Sequence, residues 1–293
     1  MRRQINAGKV FRFFNTILMV FIIFITLYPL YYVVVASFSD LDALKMHSGL
    51  LWYPLEPFTL DAYARVFRHP QILSGTINTL FVCVVGLAVN MVLTILGAYF
   101  LTVKGPMLTT PITFMIIFTM YFSGGMIPAY LNIRDLGLMD SLWSLILPGA
   151  LSTSNLIIMR SGFASVPSSL SESATLDGAT YLQILVKVVV PLSKATIAVV
   201  ALYYTVTHWN AWFNASIYIR SSDKFPLQLV MQKVLQDLQG NTLLDDASAD
   251  NAAQLAEMIK YALIVVTTAP ILAVYPFVQK YFVKGVMVGA IKG

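Results

Sequence analysis

Residues 69–103 read HPQILSGTINTLFVCVVGLAVNMVLTILGAYFLTV, which is 35 residues without an Asp, Glu, Lys or Arg. A helix needs about 20 apolar residues to cross the hydrocarbon core of a bilayer, so this stretch is long enough to span a membrane. The chain has five more charge-free stretches of at least 19 residues, at 13–39, 105–133, 141–159, 195–219 and 261–279. The sequence therefore predicts an all-α polytopic membrane protein whose six spans cover about 13–37, 77–103, 108–131, 141–159, 195–219 and 258–279.

Composition supports a membrane protein and disfavours several soluble classes. Apolar residues make up 58% of the chain and charged residues 11%, with a mean hydropathy of +0.74, whereas soluble domains carry roughly 25% charged residues. A soluble NTPase, a nucleic-acid binder and a secreted disulfide-rich protein are all disfavoured. The single cysteine, Cys83, excludes an internal disulfide. Basic residues precede the first span as in a signal peptide, but its apolar run is too long for one, so we expect a retained anchor.

Basic loop residues predict the orientation, because they accumulate on the cytoplasmic side. With both termini in the cytoplasm, eleven of the 19 basic residues and only two of the 14 acidic residues lie inside. The formal charge of +5 then divides into +9 inside and −4 outside. Loops 40–74 and 220–256 would be extracytoplasmic, the latter with a helix over Leu227–Leu238, and loop 160–194 would be cytoplasmic.

The loop at 160–194 has a sequence that predicts two short helices. Ser169 and Glu172 fit a capping box at the start of the first, and Asp177-Gly178 is typical of its end. A second helix is expected from Thr180 to Val190, closed by Pro191. Its many apolar residues are unusual for a solvated loop and indicate that a partner covers them.

This loop resembles the EAA motif of permease subunits of ATP-binding-cassette (ABC) importers. The family pattern is Glu-Ala-Ala, three residues, Gly, nine residues and Ile-x-Leu-Pro. Here it stands as Glu172-Ser173-Ala174, then Gly178, then Val188-Val189-Val190-Pro191, with the spacing kept. The departures, Ser173, Val188 and Val190, are conservative.

Further stretches resemble the carbohydrate branch of this family, of the MalG and LplC type, and the smaller permease of an alginate importer. These stretches are LYPLYYVVVASFSD at 27–40, YFSGGMIPAYL at 121–131, HWNAWFNA at 208–215 and FVKGVMVGAIKG at 282–293. The resemblance implies one permease domain over 1–293 with the type I importer fold, in a bacterial cytoplasmic (inner) membrane. It implies import of oligosaccharides or polysaccharide fragments, including acidic ones such as alginate.

The resemblance also implies partners and cofactors. A second homologous permease, two cytoplasmic ATPase subunits and an extracytoplasmic sugar-binding protein would complete the importer. ATP and Mg would be bound by the ATPases, with no cofactor on this chain, and no nucleic acid is expected. The residues implied to contact or position the ATPase are Glu172, Ala174, Asp177, Gly178 and Pro191, and a tail directed toward it contains Lys284, Gly285, Gly289 and Gly293.

Several of these residues have simpler interpretations that the sequence leaves open. Glu172 fits both the capping box and a contact with a partner, and Asp177 fits both a cap of the following helix and such a contact. Gly124-Gly125 and Pro128 predict close packing and a kink in the third span.

A candidate sugar pathway lies near the outer end of the fifth span. Asn210 and Asn214 are four residues apart, so they would share one helix face, beside Trp209 and Trp212. Amides and aromatic rings suit sugar hydroxyls and C–H faces, but an interfacial aromatic belt would give the same pattern. His208 is expected to be a packed, hydrogen-bonded ring.

Other functions are less consistent with the sequence. An ion-coupled secondary transporter usually places ionisable residues within its spans, and the six stretches contain no Asp, Glu, Lys or Arg. A membrane enzyme would need a catalytic motif, and neither H-E-x-x-H nor G-x-S-x-G occurs. The chain also has no G-x-x-x-x-G-K-[ST] motif, so ATP would be hydrolysed by another chain. A scaffold would leave loop 160–194 unexplained.

Overall fold

The computed structural model describes residues 7–103, 109–241, 259–273 and 276. Within these residues the chain is helical and contains no β-strand. These residues divide into two compact units, one formed by 7–69 with 233–241 and 259–268, and the other by 70–103, 109–232, 269–273 and 276. The fourteen helices are α1 Ala7–Ala36, α2 Leu41–Met46, α3 Asp61–Arg68, α4 Pro70–Phe100, α5 Thr109–Tyr121, α6 Met126–Asp135, α7 Trp143–Ile146, α8 Thr153–Ala164, α9 Ser168–Leu176, α10 Tyr181–Leu192, α11 Lys194–Trp209, α12 Trp212–Tyr218, α13 Leu227–Asn241 and α14 Ile259–Ala273.

In the part of the chain that the structure describes, two helices, α1 and α4, are long and apolar enough to cross a membrane, and the number rises to four if each of two bent helix pairs is one span. The fold class is therefore all-α with membrane-spanning helices. The number of six spans stays a prediction, and the predicted span at 258–279 continues past the described residues.

In the first unit, residues 13–36 of α1 carry no charged side chain and expose large apolar side chains around the helix, as expected of a helix in lipid. Tyrosines near its end hold the segment that follows. The Tyr28 hydroxyl accepts a hydrogen bond from the Leu51 N–H at 2.8 Å, and the Tyr31 hydroxyl donates to the Trp52 carbonyl. Loop 40–60 is thus fixed to α1 through its backbone.

In the second unit, α4 is the central helix and packs against α8 and α11. Its buried residues recur every three or four positions, which places them on one face. This buried face consists of Ile72, Gly75, Thr79, Val82, Cys83, Gly86, Asn90, Thr94 and Ala98. Small residues let neighbouring helices approach closely: an alanine Cβ at Gly86 would lie 2.6 Å from His208 Nε2.

The predicted third span is broken between α5 and α6, which are bent by 112°. The break falls at 122–125, where Gly125 has a φ of 88° that favours glycine. Pro128 lies in the first turn of α6, where no backbone donor is required. The expected kink is confirmed, and it is a complete interruption of the helix.

The interval 141–159 does not form one helix. α7 ends at Ile146 and α8 begins only at Thr153, and α8 continues through Arg160 to Ala164. Pro148 and Gly149 interrupt the interval, and the Ser152 side chain caps α8 by accepting from the Asn155 N–H. The lack of charged residues identifies 141–159 as an apolar interval, but it gives no information about a helix break within that interval.

Candidate functional site

Loop 160–194 is folded onto the second unit by the apolar residues of α9 and α10. Ile184, Leu185 and Val189 are buried in the main hydrophobic cluster of this unit, and Ala174 and Ala179 pack against it. The Arg160 Nε donates to the Leu101 carbonyl at 3.2 Å, which ties the end of α8 to the end of α4. The loop is therefore a fixed part of the protein surface.

The turn between α9 and α10 is set by Gly178. Its φ of 80° lies in the left-handed region. The Gly178 N–H donates to the Thr175 carbonyl at 3.0 Å and the Ala179 N–H to the Ala174 carbonyl at 2.9 Å, which is the Schellman pattern at a helix C-terminus. The predicted helix end at Asp177-Gly178 is confirmed.

The predicted capping box is wrong in position. α9 begins at Ser168 after Pro167 and has no side-chain cap, so Ser169 lies inside its first turn. The capping box belongs to α10, where Thr180 Oγ1 accepts from the Gln183 N–H and Gln183 Oε1 accepts from the Thr180 N–H. Glu172 is consequently free of the capping role that the sequence allowed.

Pro191 does not close the second helix. α10 runs through it to Leu192 and includes a π-helical segment at Leu185–Val189. Proline lacks an N–H and its ring crowds the carbonyl four residues earlier, so the wider turn before Pro191 accommodates it. The chain then turns by 86° into α11.

On the side away from the core, the loop exposes apolar side chains around an exposed Glu172. The exposed fraction is 89% for Leu176, 68% for Tyr181 and 62% for Leu182. We call Leu170, Glu172, Leu176, Tyr181 and Leu182 the exposed loop face. Asp177 and Gly178 are also exposed, and Ala174 is partly buried. The arrangement suits contact with another macromolecule.

The predicted sugar residues do not form one face. α11 ends at Trp209 and α12 starts at Trp212, so Asn210 and Asn214 lie on opposite sides of a helix break. Trp209 is buried, whereas Asn210, Trp212 and Asn214 are exposed. Asn210 Nδ2 donates to the Val206 carbonyl at 2.9 Å, which satisfies the end of α11. The tail residues Lys284, Gly285, Gly289 and Gly293 lie outside the described residues.

Two buried polar bridges were not predicted. Asn90 Nδ2 donates to the Gly149 carbonyl at 2.8 Å, so Asn90 Oδ1 faces His208 Nε2 at 2.9 Å and accepts a hydrogen bond from the ring N–H. Thr94 Oγ1 lies 2.8 Å from the Tyr204 hydroxyl, which accepts from the Ser152 N–H at 3.0 Å. The packed, hydrogen-bonded His208 ring is confirmed. The sequence contains one indication of these bridges: two polar residues, Asn90 and Thr94, lie one helical turn apart within the longest charge-free stretch.

A polar centre also forms around Asp140, which follows α6. Asp140 has a φ of 55°, and its carboxylate accepts from the Ser221 hydroxyl at 2.5 Å, from the N–H groups of Ser221 and Arg220, and from Lys224 Nζ at 3.1 Å. These hydrogen bonds, of which the one from the Ser221 hydroxyl has the largest effect, hold the pKa of Asp140 well below its usual range. This carboxylate fixes the turn at 220–224.

Comparison with known proteins identifies relatives along nearly the whole chain. No protein-family model matches. The protein LplC of Bacillus subtilis (strain 168) is 42% identical, with 98% of this chain and 97% of LplC covered. The polygalacturonan/rhamnogalacturonan transport system permease protein YtcP of the same organism is 40% identical, with 90% and 92% covered.

Two solved structures share the fold. A chain of a bacterial ABC transporter involved in the import of the acidic polysaccharide alginate matches with a TM-score of 0.85 and 32% identity, covering 96% of this chain and all of that chain. A chain of a bacterial alginate ABC transporter in complex with an alginate pentasaccharide-bound periplasmic protein matches with a TM-score of 0.54 and 14% identity, which supports the fold alone.

Proposed function

The chain belongs to the permease subunits of ABC importers for oligosaccharides and polysaccharides, and from that premise we propose that its exposed loop face couples it to partner ATPases. In this proposal the permease pairs with a second homologous permease in the bacterial inner membrane. Two cytoplasmic ATPases supply ATP and Mg chemistry, and an extracytoplasmic binding protein delivers the sugar. Six spans with both termini inside put loop 160–194 on the ATPase side, as the distribution of basic residues favours.

The observation that carries the coupling role is the exposed loop face itself. Leu176, Tyr181 and Leu182 are each more than 60% exposed, on helices whose opposite side is buried in the core. Apolar side chains on a fixed polar-rimmed surface are typical of protein contacts. Glu172 adds one negative charge, which favours a basic partner residue.

A rigid attachment is what a coupling surface requires. The Schellman turn at Gly178 fixes the angle between α9 and α10, and α8 and α11 hold the two ends of the loop. A displacement of the ATPases would therefore be passed to both helices. The switch between inward- and outward-open states would be driven by different contact free energies with the two ATPase states.

We propose acidic polysaccharide fragments as the substrate class. YtcP is named for polygalacturonan and rhamnogalacturonan, and the structure at 32% identity belongs to an alginate importer. We expect alginate or galacturonate oligosaccharides to stimulate ATP hydrolysis by the reconstituted importer. Neutral arabino-oligosaccharides should not stimulate it.

Charge reversal at Glu172 tests the coupling role. In Glu172→Lys we expect at least about tenfold weaker ATPase association, equivalent to about 1.4 kcal/mol, because an attraction becomes a repulsion. Co-purification of the ATPase with the tagged permease and sugar uptake by proteoliposomes are the measurements. Asp223→Lys, the same charge change at an exposed position outside the loop, should leave both unchanged. Normal association together with normal uptake in Glu172→Lys would refute the coupling role.

A further inference from the structure

Three helix breaks of the second unit lie close together. These breaks are at 122–125, 147–152 and 210–211. Asn90 joins the second to the third, because it bonds both the Gly149 carbonyl and His208, two residues before Asn210. The Thr119 and Thr153 hydroxyls, 3.4 Å apart, join the first to the second, since Thr119 lies near the end of α5 and Thr153 begins α8.

The breaks lie at the depth of the hydrocarbon core if α4 crosses the membrane. Gly86 and Asn90, which contact His208, are one and five residues from the midpoint of α4. At 1.5 Å per residue these offsets are about 2 and 8 Å, within the roughly 15 Å half-thickness of the core. Irregular backbone is tolerated at this depth only where it is buried in protein or lines a water-filled cavity.

Several backbone N–H groups at the breaks are unpaired in the described part of the chain. Within the described residues, the N–H groups of Ser123, Gly124, Gly149 and Leu151 have no hydrogen-bond partner. The side of segment 147–152 toward α4 is held by the Asn90 and Tyr204 bridges. On its other side Pro148, Gly149 and Leu151 are exposed, and a Cβ added at Gly149 would meet nothing within 4 Å. Unpaired donors at this depth require water or a polar solute.

The side chains around the breaks suit a carbohydrate. Exposed hydroxyl and amide groups are provided by Thr119, Ser123 and Asn210, and exposed aromatic rings by Phe122 and Trp212. The charge-free stretches that contain all of these residues, 105–133, 141–159 and 195–219, offer no charge for reading a carboxylate. Hydrogen-bonding groups beside aromatic faces match sugar hydroxyls and C–H faces.

From this arrangement we infer that the three helix breaks form a subsite of the import pathway, which contacts the hydroxyls and ring faces of the passing oligosaccharide through backbone N–H groups and uncharged side chains. The inference rests on the proposed importer function. It assigns the passage of the sugar to Gly149 and its neighbours, and it leaves recognition of sugar charge to another part of the importer.

Water access to Gly149 tests the subsite directly. The Gly149→Cys variant is made in a Cys83→Ala background and the importer is placed in lipid nanodiscs. A negatively charged, water-soluble methanethiosulfonate is then added, and the rate of labelling of this chain is measured. Because the thiolate is the reactive form and needs a hydrated site, we expect labelling about ten times faster than for Val20→Cys on α1. Val20 is 60% exposed in the structure but lies within an all-apolar helix face.

A bulky residue tests the passage. Gly149→Leu should reduce proteoliposome uptake of an alginate oligosaccharide at least about tenfold, because its side chain enters the open space, while ATPase co-purification stays normal. Gly8→Leu, at another glycine with open space, should transport normally. Two results would overturn the subsite: labelling of Gly149→Cys no faster than that of Val20→Cys, or normal uptake in Gly149→Leu. Loss of the second permease from Gly149→Leu would also overturn it, because it would show that Gly149 lies at a subunit interface. Because ATPase binding is scored separately, a failure of the coupling role would be distinguishable.

Discussion

Replacing Gly162 by alanine tests the close contact of α8 with α11 that holds both ends of loop 160–194. An alanine Cβ at this position would lie 2.4 Å from Thr196 Oγ1, 2.6 Å from Cγ2 and 2.7 Å from Cβ. Rotation about χ1 can move the first two atoms but leaves the Thr196 Cβ in place. Ordinary contact begins at 3.4 Å, so the two helices must separate by about 0.7 Å in a close-packed region.

The free-energy cost follows from two opposing effects. Overpacking of this kind costs about 1–3 kcal/mol, whereas alanine in place of glycine within a helix gains about 0.5–1 kcal/mol. We therefore expect Gly162→Ala to lower the free energy of unfolding by about 1–2 kcal/mol. For a chain of this size the unfolding temperature should fall by about 2–8 °C.

The measurement is thermal unfolding of the detergent-purified importer. Gly8→Ala is the matched control, because a Cβ there meets nothing within 4 Å. In a Thr196→Gly background the obstructing atoms are absent, so Gly162→Ala should be neutral or stabilising. Since α8 and α11 bear the loop, ATPase co-purification should fall with Gly162→Ala and recover in the double variant. An equal cost in both backgrounds, or an unfolding temperature matching that of Gly8→Ala, would show that the close approach of Gly162 to Thr196 does not limit stability.

Two further predictions concern the buried and the exposed polar centres. Asn90→Ala leaves His208 and the Gly149 carbonyl without their partner, so it should lower the free energy of unfolding, measured by thermal unfolding, by about 1–2 kcal/mol. The control is Asn214→Ala, which removes an exposed amide and should change the free energy of unfolding by less than about 0.5 kcal/mol. Equal effects of the two substitutions would contradict a stabilising Asn90 bridge. Because the pKa of Asp140 is lowered by folding, its contribution to stability is present above its ordinary pKa of 3.8 and is lost as the pH falls toward the folded value. The stability difference between the wild type and Asp140→Asn should therefore shrink below about pH 4, and a difference constant from pH 3 to 7 would show that the carboxylate charge does not matter.

Much of the candidate site could be predicted because its signals are local. The end of α9 depends on the left-handed conformation of Gly178, which a glycine after an acidic residue indicates directly. The kink at Gly124-Gly125 is local in the same sense. The predicted start of α9 at Ser169 is wrong because Ser169 and Glu172 match a capping box in spacing alone, whereas the helix begins at Ser168 directly after Pro167 and has no side-chain cap.

The remaining features depend on contacts between residues far apart in the chain. Asn90 and His208 are 118 positions apart, and Asp140 and Ser221 are 81 apart. Their pairing depends on which helices adjoin α4, and periodicity does not encode that choice. The same holds for the break at 147–152, which is stabilised by Asn90 and Tyr204 as well as by its own Pro148 and Gly149.

Residue composition indicates a helical chain that is apolar enough for a membrane, and the loop motif indicates a carbohydrate ABC importer. Both conclusions follow from free energies of transfer and short-range turn preferences, which are properties of residues and their immediate neighbours. Helix packing, by contrast, determines which side of the loop is exposed, where the long apolar stretches are interrupted, and that three of those interruptions meet. Those outcomes depend on satisfying buried backbone groups through partners distant in sequence, which happens only once the helices have packed.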